Sequence, residues 1–404
     1  MFSNTGQYIA LQLVFWMSLG VVLYTYIGYP VILAALVYVR KSFNPRKTSS
    51  YSEDELPAVT VLVACYNEAD IVEQKIFNTA QLDYPVDKRF YWFVTDGSSD
   101  NTPEIVRKHA GFQVFHENAR KGKNAAVNRV MKLVKTPLVV FCDANTILNK
   151  EALRLLIRHF KDPKVGAVAG EKRVMQGDTE NAAGSGEGAY WKYESLLKKW
   201  DSEFNTVVGA AGELLAVRTD LYSEVPPGVF IEDFRLSMNI AKSGYRVVYE
   251  PDAYAMETAS ASIEEERKRK VRISAGGLIE VWHFMGLLNF FKYGWLTFQY
   301  VSHRMLRWTL APLCLLLLLI ANVLLAAGNL FFQGVLVAQV LFYIVAIAGY
   351  LLKDKKIGFR ILFVPYYFLF MNISVYQGLA RLIKGSQSAV WDKAKRSKEP
   401  GARS

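Results

Sequence analysis

Residues 9–39 contain no charged side chain, an apolar run of more than thirty residues. About 20 apolar residues as a helix cross the ~30 Å hydrocarbon core of a bilayer, so the run is long enough to span one. It also far exceeds the ~7–15-residue core of a signal peptide and lacks a basic start, so it is expected to stay as an anchor. Three later runs, 308–327, 330–352 and 361–382, reach the same length, and four crossings are the first count. Arg40 and Lys41 follow the first run, which by the positive-inside rule puts the next domain in the cytosol and residues 1–8 outside. Four crossings would then leave the tail outside, although it carries Arg381, Lys384, Lys393, Lys395, Arg396, Lys398 and Arg403. Either one run is re-entrant or a further crossing hides in 281–300. That stretch is aromatic-rich but interrupted by His283, Lys292 and Gly294, and reads as a helix lying in the membrane interface.

Lys and Arg number 48 against 37 Asp and Glu, a net charge of +11. The excess cations flank apolar runs, at Arg40, Lys41, Arg304, Arg307 and 353–360, which suits an anionic lipid surface. No helix-turn-helix, zinc-finger or RNA-binding signature accompanies the charge, so nucleic acid is not an expected partner. Cys65, Cys142 and Cys314 have neither zinc-ligand spacing nor a disulfide framework, and the first two read as small buried residues at strand ends.

Between residues 57 and 277 the pattern changes to short β-branched or aromatic runs alternating with helical stretches. Segments 59–64, 90–95, 112–116 and 138–142 read as buried parallel strands. Ile71, Val72, Ile76 and Ala80 mark one intervening helix, Pro103 opens a second, and Ala126, Val130 and Val134 stripe a third. The expected fold is α/β, a doubly wound, Rossmann-like sheet. Ligands of such sheets bind beyond the carboxyl ends of the strands. Those positions are polar here: Tyr66-Asn67-Glu68, Asp96-Gly97-Ser98-Ser99-Asp100 and Asp143-Ala144-Asn145. There is no Walker loop. A nucleoside diphosphate would instead be neutralised by a divalent cation on carboxylate and amide oxygens, with basic side chains helping. Candidates are Asp143 and Asn145 for the cation, Lys123, and the basic run 267–272 with Arg269 and Arg272. Glu232 and Asp233 set two carboxylates before an amphipathic stretch, as catalytic acids or as acids favoured by a helix N-terminus. For an acceptor, Tyr190 and Trp191 offer rings for stacking, and Glu213 and Arg218 offer hydrogen bonds.

The loops at Asp96 and Asp143 and the Glu232-Asp233 pair, in this order and spacing, resemble family 2 glycosyltransferases. The similarity is to the membrane-integrated branch that contains synthases of hyaluronan, cellulose and poly-N-acetylglucosamine. It implies a GT-A-like catalytic domain followed by a bundle of transmembrane helices, divided as anchor 1–41, cytosolic domain 42–277, interfacial helices 278–303, transmembrane helices 304–383 and basic cytosolic tail 384–404. By the same resemblance Tyr66, Glu68 and Asp96 contact the nucleoside, while Lys123 and Asp143 address the diphosphate and its Mg2+ or Mn2+. Asp233 is the general base of an inverting displacement, with Glu232 beside it. The donor is a UDP-sugar, the acceptor a glycan or a lipid-linked sugar, and the location the plasma or inner membrane. Two positions depart from the family pattern. Only Arg272 survives of a Gln-x-x-Arg-Trp motif, Ile273 standing where the Trp is expected, and Asn145 replaces a metal-binding Asp. Arg272 can still grip the leaving diphosphate with a planar fork. Trp391 with Lys395 and Arg396 resembles a tail feature of hyaluronan-synthase-like enzymes and implies an inside carboxyl end near the acceptor. Three functions are compatible: polysaccharide elongation with extrusion, transfer of one sugar to a lipid acceptor, or silent binding of nucleotide sugars beside a partner synthase.

Overall fold

A computed structural model describes residues 5–43, 51–175, 182–258, 263–352 and 363–385. The chain divides into two units, one built on a β-sheet (39–177 and 195–265) and one made of apolar helices (1–38, 178–194 and 266–386).

In the sheet unit, β1 (Val59–Cys65), β2 (Arg89–Asp96), β3 (Phe112–Glu117) and β4 (Leu138–Asp143) run parallel in the spatial order β3-β2-β1-β4. All seven residues of β1 are buried. That is why its sequence is a continuous apolar run and not an alternating one: helices cover both faces of a central parallel strand. Val61, Val63 and Val140 pack with Val72 and Ile76 of the helix Val72–Ala80 and with Leu153 of the helix Ala152–Ile157. Cys65 and Cys142 are buried free thiols at the ends of their strands, as expected.

The other half of the sheet departs from the parallel expectation. The full order is β3-β2-β1-β4-β7-β6-β8-β5, with β5 (Ile147–Leu148), β6 (Val165–Met175), β7 (Leu214–Arg218) and β8 (Arg246–Thr258). Strand β7 runs antiparallel to both β4 and β6, and β5 antiparallel to β8, so the sheet is mixed. The register pairs Cys142 with Leu214 and Leu138 with Arg218. An antiparallel strand enters where its neighbour leaves, so residues 212–213 reach the edge that carries Asp143, and Arg218 goes to the opposite edge.

The loops at that edge are stapled to one another. Asn67, in the left-handed region at φ 52°, takes a bond from the Ser99 amide to its Oδ1 at 2.8 Å and donates its own N–H to Ser98 Oγ at 3.1 Å. The Glu68 amide donates to Thr102 Oγ1 (2.9 Å) and the Ala69 amide to Asp100 Oδ2 (3.0 Å). Gly97 sits at φ 66°, and a Cβ there would lie 2.9 Å from the Arg120 backbone nitrogen, so both the turn and the close approach require glycine.

In the helical unit, the helix Thr5–Phe43 holds a π-helical turn at Tyr24–Gly28, one residue short of Pro30. Proline cannot donate to the carbonyl one turn back. The Tyr26 carbonyl instead accepts from Tyr193 Oη at 2.9 Å. Phe15 packs with Leu318, Ala321 and Leu325 of the helix Leu310–Ala326. Helices Thr5–Phe43 and Leu330–Leu351 are long and apolar enough to cross a membrane. Trp295–Trp308 and Leu310–Ala326, bent by 53°, add a third if they form one span. Among the described residues two or three helices thus meet that length and apolarity, against a first count of four. Helix Phe363–Ile383 has the length but is diluted by tyrosines, Gln377 and Asn372, whose Oδ1 accepts from Tyr26 Oη at 3.0 Å. Stretch 281–300 is not one interfacial helix. It breaks into short turns at Met285–Leu288 and Phe290–Tyr293 before Gly294 at φ 50°, with Trp282 and Phe291 exposed. The small residues 274–277 of the helix Ile263–His283 allow close packing: a Cβ on Gly277 would meet the Trp308 ring at 2.6 Å. Trp391, Lys395, Arg396 and 353–360 lie outside the described residues.

Candidate active site

The helix Lys123–Met131 begins after Gly122, which sits at φ 95°. Asp96, at the end of β2, holds that entrance: its Oδ1 accepts from the Lys121 amide and its Oδ2 from the Gly122 amide, each at 2.8 Å. Both oxygens of this candidate nucleoside ligand thus already fix the loop that aims Lys123. Lys123 Nζ lies 2.9 Å from Asp143 Oδ1 at the end of β4 and 2.8 Å from Glu232 Oε1, the first residue of the helix Glu232–Lys242. Burial pulls the ammonium pKa down, but the two carboxylates outweigh it and the net shift is upward, so Lys123 stays charged. Three residues picked from separate stretches of sequence therefore form one ionic cluster.

Asp233 follows Glu232 in the first turn of the same helix, where the N–H dipoles would ordinarily favour an ionised acid. Its pKa instead rises to about 7, through burial first and then the like charges of Glu232 and Glu213. A carboxyl titrating near neutrality is suited to taking a proton from a hydroxyl. Gly212 lies against it: a Cβ on Gly212 would stand 3.3 Å from Asp233 Oδ2. An open cleft of about 460 Å³ reaches this point, lined by Lys123, Phe141, Gly212, Tyr222, Glu232 and Asp233 among others.

Tyr222 and Asn128 escaped the sequence reading. Asn128 Oδ1 accepts from Tyr222 Oη (2.6 Å) and from the Val225 amide (3.1 Å), and its Nδ2 donates to the Val225 carbonyl at 2.9 Å. Asn124, one turn earlier, donates to the Val229 carbonyl at 3.0 Å. The available signal was the i, i+4 spacing of two asparagines on the Lys123 helix.

The remaining candidates divide. Tyr66 and Glu68 stand beyond β1, with the Arg120 guanidinium 4.0 Å from the centre of the Tyr66 ring. Glu213 reaches the Asp143 edge, where Lys172 Nζ lies 2.7 Å from its Oε1. Arg218 does not. Its guanidinium donates to the carbonyls of Val165 (2.8 Å), Phe160 (2.8 Å) and Asp162 (3.2 Å) at the opposite edge, because β7 runs antiparallel to β4. The acceptor role expected of Arg218 is therefore withdrawn. Tyr190 and Trp191 belong to the helical unit, with both rings 5.1 Å from Lys270 Nζ. Arg269 and Arg272 lie on Ile263–His283 in that same unit, and Arg269 Nε is 3.0 Å from Glu266 Oε2 within the helix.

Asp143 and Asn145 offer one carboxylate and one amide oxygen, hard donors of the kind Mg2+ and Mn2+ take. Among the described residues no group of three His, Cys, Asp or Glu side chains converges. Asp143 and Asn145 are thus the residues that would hold such a cation, which would supply neutralisation of a diphosphate.

The pattern of the family described as "Glycosyltransferase like family 2" matches residues 57–276, more than half of the chain. The chain belongs to this family. The poly-β-1,6-N-acetyl-D-glucosamine synthase of Staphylococcus aureus (strain MSSA476) is 31% identical to it over 265 residues, covering 63% of this chain and 61% of that protein. The synthase of the same name from Staphylococcus epidermidis (strain ATCC 35984) is 26% identical over 247 residues, covering 59% and 58%. The match thus spans about three fifths of the length of these relatives. A mannosyltransferase from Pyrobaculum calidifontis, solved with GDP-Man and Mn2+, superposes with a TM-score of 0.67 at 21% identity, over 93% of this chain and all of that one. That likeness establishes the GT-A fold.

Proposed function

We propose that the family 2 domain transfers a sugar from a UDP-sugar to the growing end of a polysaccharide, with inversion at the anomeric carbon, on the cytosolic face of the plasma or inner membrane. The observation that carries this reading is the proximity of Asp233, titrating near 7, to Lys123 and Glu232 on one open cleft, with Lys123 also paired to Asp143. Asp233 removes the acceptor hydroxyl proton as that oxygen attacks the anomeric carbon from the face opposite the diphosphate. The sugar–phosphate bond breaks and the nucleoside diphosphate leaves with the electron pair. Lys123 holds Glu232 and Asp143 in place and offers its charge to the leaving phosphates. Tyr66, Glu68 and Asp96 frame the nucleoside side, and Arg269 and Arg272 are carried over to the diphosphate by resemblance. Mg2+ or Mn2+, held by Asp143 and Asn145, would supply neutralisation of the diphosphate as a Lewis acid. The named activity of the staphylococcal relatives supports a polysaccharide product. The division 1–41, 42–277, 278–303, 304–383 and 384–404 is retained as the working domain scheme.

A second reading is favoured by Ile273, which removes the aromatic face expected to stack an acceptor sugar: single transfer to a lipid or lipid-linked acceptor. One experiment tests both. The detergent-purified chain is offered a panel of UDP-sugars with Mg2+ or Mn2+, nucleotide release is measured, and products are sized on gels with Asp233→Asn as control. Release with one donor and long products supports the polymerase, and short or lipid-linked products support single transfer. No release from any donor, with membrane lipids present, rejects both in favour of a silent binding protein.

A further inference from the structure

The helix Val72–Ala80 grips the segment that follows Asp143 through two side chains one turn apart. Asn78 acts as a strand partner to Leu148, accepting from its amide at 2.9 Å and donating to its carbonyl at 2.8 Å. Lys75 is fully buried, and its ammonium donates to the Thr146 carbonyl at 2.8 Å and to Thr146 Oγ1 at 3.3 Å. The Thr146 hydroxyl in turn donates to the Asp143 carbonyl at 2.9 Å. Lys75 therefore reaches, through one buried threonine, the turn that carries Asp143 and Asn145.

Among the described residues Lys75 forms no ion pair. The Cys142 thiol is a further hydrogen-bond partner of its ammonium, and the carboxylates of Asp143 and Glu68 act on the thiols of Cys142 and Cys65 beside it. Desolvating an ammonium is costly, and an apolar side chain of the same length would avoid that cost.

We propose that Lys75 is a positioning residue for donor binding: it fixes the Asp143–Thr146 turn and keeps beneath it a buried cation that adds to the attraction for the donor's diphosphate. The inference rests on reading Asp143 and Asn145 as the diphosphate and metal turn. A second, buried positive charge behind Lys123 strengthens the attraction for phosphate whether or not a divalent cation is present, because a desolvated charge is poorly screened.

The test uses the full-length chain in detergent, with the wild type, Lys75→Met, which removes charge and donor, and Lys75→Gln, which keeps a donor without the charge. UDP and GDP binding is measured by calorimetry in EDTA and in Mn2+, together with thermal unfolding. Both variants are expected to bind nucleoside diphosphate about tenfold more weakly in either condition, the scale of one unit charge acting across a partly buried site, with the unfolding temperature of Lys75→Met unchanged or raised. Unchanged affinity in both variants overturns the proposal. So does a loss in Lys75→Met that tracks a fall in unfolding temperature and is restored in Lys75→Gln, which would make Lys75 a structural hydrogen-bond donor only. Asp143→Ala is the control for the underlying reading. If it leaves Mn2+-dependent nucleotide binding intact, or if the wild type binds neither nucleotide, that reading fails and takes the proposal with it.

Discussion

Replacing Asp233 by Asn should make the protein more stable at alkaline pH while abolishing transfer. The folded-state pKa of Asp233 is raised from 3.8 to about 7, so between those values the native state holds a proton that the unfolded chain has released. By linkage, stability then falls as pH rises from about 4 to about 7, and the full cost is present above 7. A rise of about 3 units corresponds to ~4 kcal/mol at most. The cleft leaves Asp233 partly open to solvent, so ~2–4 kcal/mol is the expected range. The neutral amide has nearly the same shape and escapes this cost. At roughly 2–4 °C per kcal/mol for a domain of this size, Asp233→Asn should unfold about 5–10 °C above wild type at pH 8. At pH 4 the two should be nearly equal. The assay is thermal unfolding of both proteins in detergent at pH 4, 6 and 8, paired with sugar transfer at pH 8, where activity should fall ~10²- to 10⁴-fold. A variant equally or less stable than wild type at pH 8 would refute the argument that Asp233 is held at an unfavourable pKa. Retention of more than about a tenth of the activity would remove it as the base.

Glu213→Gln takes away one of the two like charges that raise Asp233, so the acid limb of kcat/KM, expected near pH 7 in wild type, should move down by up to about one unit; a limb that stays in place would separate Glu213 from the base. Gly212→Ala puts a methyl 3.3 Å from Asp233 Oδ2 and should lower kcat at least tenfold with donor affinity intact, as single-turnover and binding assays would show. Asn145→Asp adds an anionic ligand and should lower the Mg2+ or Mn2+ concentration for half-maximal nucleotide binding several-fold; an unchanged titration would exclude Asn145 from the coordination shell.

Local patterns made much of this site legible. The apolar runs ending at Cys65, Asp96 and Asp143 read as parallel strands because burial on both faces demands continuous hydrophobicity, and the polar loops after them fell on the ligand edge by the ordinary rule for α/β sheets. Glu232 and Asp233 announced themselves as paired acids at a helix start. Arg218 misled, because nothing local to 214–218 says which way the strand runs. Its direction is set by pairing with β4 and β6, and that pairing sends Glu213 toward Asp143 and Arg218 away.

The sequence by itself determined the four parallel strands and the helices between them, the chemistry delivered to their ligand edge and the apolar lengths of the spanning candidates, since each depends on neighbours within a few residues. Only the tertiary structure decided that Lys123 joins Asp143 to Glu232, more than a hundred residues further along the chain, and that Gly212 closes on Asp233. It alone raised that carboxyl toward neutrality and buried Lys75 beneath the Asp143 turn. Charge proximity and desolvation are set by the packing of distant segments, and a one-dimensional pattern carries no measure of either.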